Sequence, residues 1–458
     1  MTTFSSLTAA AGRPALALLG LGLGLAGCQA NIDAPAASSG ALDFTSYVAV
    51  GNSLTAGYTD GGVTNESQAT SYPAILAQQF GATGRGPASF VQPTFSAARR
   101  DGSGYIKLQV VNGALAPVQP SAANQFLGEQ VAFTGTTLAS GQPQLEAYAG
   151  AQPDNLGVPG ISVLSSVSAL TGGLAPYGII NPFYERLLTA AEKPSKDYVT
   201  YIGQKPPTFF TCWMGNNDVL AYATAGGVTS ATNPFSGLTD TTRFGSGYRA
   251  ILTAITKNGT VKGAVANIPN VTGVPYFTTV TVAAVLAAYR AAGLPITAIY
   301  VTARTSATTT ATAARAATAT DLLTLTAQAY IAANPGRGTS PTNAIPSDYV
   351  LDPIEQTEVT NRTTQLNAII AKTALRFRVP VADMNTFFTS IAQTGAFTNG
   401  VYNSATFASG NLFGLDGVHP TPRGYALIAN EWIRVINSYY GSTIPAVDAN
   451  AYRAVLFP

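Results

Sequence analysis

The chain has 458 residues, with 24 Lys and Arg against 22 Asp and Glu, and only 10% of it is charged. So near-neutral a balance, with no basic run interleaved with aromatics, argues against a nucleic-acid partner. Low charge with abundant Ala, Thr, Gly and Tyr points to a polar, weakly charged, exported surface, and the length suits one large domain with inserts.

Arg13 is the only charge ahead of the apolar run Ala15–Gly27, which has the length of a signal-peptide core and is too short for a convincing membrane span. The run ends in Leu25-Ala26-Gly27-Cys28, which resembles a bacterial lipobox. That resemblance implies that residues 1–28 are a lipoprotein signal peptide and that the mature chain begins at a lipid-bearing Cys28. Residues 29–43 would be a flexible tether to the membrane. Gln29 after the cysteine favours, by analogy, the outer membrane of a Gram-negative bacterium within the cell envelope. The run also contains Gly22, Gly24 and Gly27 in the spacing of a dinucleotide fingerprint, but no strand precedes it, so a nucleotide cofactor is not expected.

Tyr47–Val50 is a short apolar run that reads as a strand, and Gly51-Asn52-Ser53-Leu54 follows it at the expected turn. A helix is expected over Tyr72–Phe80. Residues 84–150 are rich in Gly, Gln, Ser and Pro with alternating segments such as Tyr105–Val111, which suggests an insert built as a β-hairpin excursion. Asp154-Asn155-Leu156-Gly157-Val158-Pro159-Gly160 reads as a turn with two glycines. Phe209–Met214 is a second strand, running into Gly215-Asn216-Asn217-Asp218. Its Cys212 is the only cysteine left once Cys28 carries lipid; it reads as a core thiol with no disulfide partner.

Gly263–Asn267 and Val379–Met384 complete the strand-like runs. A second insert is expected over 281–348. Its Thr/Ala-rich tract Thr302–Thr320 reads as a loose surface section, with Asp321 as cap of a helix from Leu322 to Ala333. Helices are expected over Gln356–Phe377 and Pro422–Tyr439. Strands alternating with helices imply a parallel sheet covered on both faces. The domain is expected to span 44–442, with 443–458 as a C-terminal tail.

The only histidine, His419, lies three residues after Asp416. On a turn that spacing lets the carboxylate accept from one ring nitrogen and leaves the other to take a proton from a serine. Ser53 is the nucleophile candidate, at the carboxyl end of the first strand, where open parallel sheets bind ligands. No G-x-S-x-G occurs, so the nucleophile elbow of α/β-hydrolases is absent. One histidine and one core cysteine cannot supply a zinc site, and no metal or cofactor is assigned, although a carboxylate-based Ca²⁺ site stays open.

Gly51-Asn52-Ser53-Leu54, Asp154–Gly160, Gly215–Asp218 and Asp416–His419, in this order, resemble the GDSL or SGNH hydrolase family. Val265–Val271 and Glu355–Asn367 with Val379–Asp383 resemble further family segments. The resemblance implies a flavodoxin-like three-layer α/β/α sandwich and a serine esterase or lipase working through an acyl-enzyme. Ser53, Asp416 and His419 would be catalytic. Ser53, Gly160 (with Gly157 as the fallback) and Asn217 would form the oxyanion hole, and Gly215 would let backbone and substrate approach closely. Asn52 stands where the family has aspartate: it keeps an acceptor and loses the charge. The substrates implied are esters of lipids, acetylated glycans or small acyl groups. A non-enzymatic, glycan-binding envelope lipoprotein on a degenerate hydrolase scaffold is the alternative; against it, Ser53, Asn217 and His419 are all retained.

Overall fold

The computed structural model describes residues 36–111, 114–118, 128–138, 141–168 and 181–458. The chain divides into two units, Met1–Ala36 and Ala37–Pro458, and the description concerns the second. The apolar run, Cys28 and the first part of the tether lie outside the described residues.

Five parallel strands form the central sheet: β1 (Tyr47–Gly51), β2 (Asn155–Gly157), β3 (Phe209–Trp213), β4 (Lys262–Ala266) and β5 (Val381–Ala382). Their order across the sheet is β2-β1-β3-β4-β5. This is the flavodoxin-like order, in which the connections leave β1 in opposite directions and open a crevice at the carboxyl ends of β1 and β3. β1 and β3 are buried along their whole length, as a sheet covered on both faces requires. Fully buried Cys212 fills part of β3, and burial pushes its thiol far above the usual range, so it behaves as an inert core side chain.

The helices that matter for the site are α1 (Ser53–Ala56), α2 (Tyr72–Ala82), α3 (Asn217–Thr224), α4 (Thr241–Ile255), α5 (Pro353–Phe377), α6 (Met384–Thr394) and α7 (Pro422–Tyr440). α4 packs on α5, and α2 packs on α7, giving the three layers. Thr421 caps α7 through its side chain and Pro422 opens it, so the helix begins two residues after the histidine turn. Tyr72 stacks on Trp432 at 5.7 Å and Trp213 meets the same indole edge-on at 6.4 Å. These contacts tie both helices of that layer to β3.

Several expectations change on folding. The fifth strand keeps two residues, not the run 379–384, because Asp383 accepts from Thr386 N–H and starts α6 at once. The 84–150 insert holds two hairpins, Lys107–Val111 with Ala114–Val118 and Phe133–Thr137 with Pro143–Leu145. The Thr/Ala-rich tract is not loose: Tyr300–Arg304 pairs antiparallel with Thr312–Ala316. Val301 and Ala303 face inward against Ile299, Ile345 and Val350, a small satellite core that selects the extended form of a β-branched run.

Asp321 does not cap a helix. Its carboxylate takes both Arg315 guanidinium nitrogens at 2.8 and 2.6 Å, Leu322–Leu323 pair with Val350–Leu351, and the helix starts at Leu325. At the domain edges, Ser38 pairs with Thr443 and Leu42 is fully buried, so the packed chain reaches back into the segment expected as tether. The final segment is packed as well: Arg423 donates to the Arg453 and Tyr452 carbonyls, and Ile444 and Ala449 are buried.

Candidate active site

Three loops meet at the carboxyl ends of β1, β2 and β3, and a fourth arrives from the far end of the chain. The turn after β1 is unusually tight. A Cβ on Gly51 would lie 2.0 Å from Thr55 Oγ1 and 2.8 Å from the Trp213 carbonyl, so only glycine lets α1 start beside β3. Asn52 Oδ1 accepts from Leu54 N–H, which makes it the cap of α1. The acceptor role expected of it is realised, while its Nδ2 is buried without a partner among the described residues. Ser53 is thereby held at the first position of α1, largely buried.

Ser53 Oγ lies 2.8 Å from His419 Nε2, and His419 Nδ1 lies 2.9 Å from Asp416 Oδ2. An ionised carboxylate can only accept, so Nδ1 carries the ring proton and Nε2 is left to accept from the serine hydroxyl. Asp416 is held in turn by three backbone donors, Val418 and His419 N–H on Oδ1 and Gly61 N–H on Oδ2. Burial alone would push the Asp416 carboxyl up; the adjoining His419 ring and these donors outweigh it and hold it below its ordinary value.

The oxyanion candidates differ in how free they are. Gly157 N–H donates to Asn155 Oδ1, so the fallback glycine is already committed inside β2. The N–H groups of Ser53 and Gly160 make no hydrogen bond to another described residue. Asn217 Nδ2 gives one hydrogen to the Ile161 carbonyl at 2.8 Å, which fixes the amide and leaves its second hydrogen free. Ser53, Gly160, Asn217 and His419 line the same open recess. The arrangement thus sets a hydroxyl hydrogen-bonded to an imidazole beside three N–H donors that could receive a developing negative oxygen.

Gly215 is required by its own backbone. Its φ of 117° is a left-handed conformation, and a Cβ there would meet Ile268 at 3.0 Å and Phe244 at 3.2 Å. The glycine meets a requirement of backbone shape and of packing against the core.

The motif pattern did not reveal four supporting groups. Tyr58 sets its ring 4.4 Å from the His419 ring and donates its hydroxyl to the Gly61 carbonyl. Gly61 supplies the N–H to Asp416 described above. Asp60 Oδ1 accepts from Leu415 N–H at 2.8 Å, pinning the histidine turn to the segment after Ser53; burial pushes this carboxyl up. Asp218, fully buried and pushed up to about 6 by desolvation, accepts from Val163 and Leu164 N–H and so fixes the chain just beyond Gly160. The proximity of the Tyr58-Thr59-Asp60-Gly61 segment to the serine in sequence was the only available signal, since its partners lie 355 residues away.

Asn267 and Ile268 are held structurally, while Pro269 lines a recess beside Ser53. Asn267 bonds Asp383 and Asn385, and Ile268 is bracketed by the Asn367 and Asn385 amides. The family model described as GDSL-like Lipase/Acylhydrolase matches residues 47–432. No curated protein and no solved structure matches the chain.

Proposed function

Because the chain belongs to the GDSL-like lipase/acylhydrolase family, with ester hydrolysis as its family-level chemistry, we propose that it is a serine esterase working through an acyl-enzyme on Ser53. The observation that carries this reading is the continuous hydrogen-bonded chain from Ser53 to His419 to Asp416 beside three free N–H donors. Ser53 Oγ attacks the ester carbonyl as its proton passes to His419 Nε2. The oxyanion so formed takes hydrogen bonds from Ser53 N–H, Gly160 N–H and Asn217 Nδ2. The carbon–oxygen bond to the alcohol then breaks, and His419 returns the proton to the leaving oxygen. Water, deprotonated by the same nitrogen, releases the carboxylic acid and regenerates the hydroxyl. Asp416 stays ionised throughout, holding the ring in the tautomer that accepts at Nε2.

Treatment with a serine-directed fluorophosphonate should give a single adduct, found by mass spectrometry on the peptide carrying Ser53. Labelling at another serine, or an unlabelled but intact protein, would sink the proposal. It would move the non-enzymatic glycan-binding alternative to the front.

Localisation is part of the same proposal. The Leu25-Ala26-Gly27-Cys28 ending supports a lipid-modified Cys28 and an envelope protein held to the outer membrane through its N-terminus. Among the described residues no helix is long and apolar enough to cross a membrane. Cys28→Ser should therefore abolish incorporation of a fatty-acid label and shift the protein from the membrane to the soluble fraction. Unchanged membrane attachment of the variant would refute the anchor.

A further inference from the structure

Ser53 stands between two unequal recesses. One is a cavity of about 40 Å³ walled by Pro269, Val271, Val274, Phe388 and Val418, with one amide, Asn216. The other is open, about 390 Å³ in volume, and mixes the amides of Gln142 and Asn233 with Tyr58, Phe183, Leu220 and Phe235. Ser53, Asn217 and His419 border both.

An ester bound across the serine must put its acyl group in one recess and its alcohol in the other. Each methylene buried against apolar walls is stabilised, whereas an alkyl chain pressed on amides would strip them of water without replacing their hydrogen bonds. The acyl group therefore belongs in the small cavity, whose walls are mainly apolar, and the bulkier alcohol in the large recess, whose walls are mixed. The small cavity has about a tenth of the volume of the large recess, which suits a short acyl chain.

Behind its far wall lies another cavity, of about 100 Å³, bordered by Gly273, Val274, Phe388, Ala392 and Phe413. Val274 and Phe388 are the side chains common to the two spaces, so they form the partition. Phe388 projects from α6, and its ring lies 6.3 Å from Trp213, 6.0 Å from Phe413 and 5.5 Å from Phe387. An aromatic cluster of this kind cannot swing aside as a single flexible side chain could. We infer that Phe388 sets the acyl-chain length, and that the substrates are esters of short acyl groups with a larger alcohol. This inference rests on the esterase reading above.

The test compares kcat/KM for p-nitrophenyl acetate, butyrate and octanoate in the full-length protein, Phe388→Ala and Phe388→Leu. Phe388→Leu keeps more of the core if the alanine variant fails to fold. In the wild type, kcat/KM should fall at least about tenfold from butyrate to octanoate, on the scale of a pocket that rejects extra methylenes. Removing the ring should join the two cavities and raise the octanoate-to-acetate ratio by about tenfold or more, with leucine intermediate. A wild type that prefers octanoate, or folded variants with the wild-type chain-length profile, would overturn the assignment. Phosphonate labelling of Ser53 in the same samples separates the two failures. Labelled protein with an unaltered profile rejects only Phe388, whereas wild type without the Ser53 adduct rejects the esterase reading beneath it.

Discussion

His419→Ala should lower kcat by roughly 10⁴–10⁶-fold while leaving the fold intact, because a triad works as a unit and loses most of its rate when any one member is removed. Ser53→Ala should match it, and the double variant should be scarcely worse than either alone. The chain has no other histidine, so no second imidazole can take over or blur the assignment. The pH profile provides an independent readout. Asp416 is held below its ordinary pKa, so it stays ionised as the pH falls through the weakly acidic range and cannot produce a limb near neutrality. The rate should instead depend on a single proton and rise with pH, because only the neutral ring accepts the serine proton. Near-normal turnover of His419→Ala with an unshifted profile would remove the acyl-enzyme mechanism. Asp416→Asn should also be damaging. Besides fixing the tautomer, the carboxylate accepts three backbone N–H groups, and an amide NH₂ turned toward any of them would have no acceptor.

The second large effect is expected at Asn217. If its free amide hydrogen meets the oxyanion, Asn217→Ala should lower kcat by about 10²–10³-fold, or about 2.7–4 kcal/mol of barrier. KM should change little, since the negative oxygen exists only near the transition state. The same amide holds the Ile161 carbonyl, so truncation also loosens the turn carrying Gly160. Asn217→Asp keeps the size, removes both donated hydrogens and sets a negative charge beside the oxyanion. Its kcat should be at least as low as that of the alanine variant. A large rise in KM with unchanged kcat in both variants would assign Asn217 to ground-state binding.

Much of the fold was legible in the chain because its signals are local. β1, β3 and β4 are short apolar runs closed by turn residues, and α2, α5 and α7 show helical spacing; folding moves their ends by a few residues at most. The Asp416–His419 contact was legible for the same reason, since three residues on a turn bring the two side chains together. Ser53 was legible as a candidate through its place at a strand end, but nothing local could bring it to a histidine 366 residues away. That meeting depends on the sheet order β2-β1-β3-β4-β5, which gathers the strand ends, and on Asp60, which draws the histidine turn onto the segment after the serine.

Other features were decided by packing alone. The Thr/Ala-rich tract has no hydrophobic period to read, and it becomes a hairpin because Val301 and Ala303 find a small core supplied by distant residues. Asp321 has the chemistry of a helix cap, yet it pairs with Arg315 in the hairpin strand just before it, where a bidentate ion pair outcompetes a cap. The partition at Phe388 is likewise invisible in sequence. It exists only where α6 stacks against Trp213 of β3 and Phe413 of the histidine loop. The sequence by itself determined the elements and the chemically able residues, because backbone preference and hydrophobic period act over a few neighbours. Tertiary structure decided which residues meet and how much room lies between them, because burial and hydrogen-bond satisfaction are settled by side chains hundreds of positions apart.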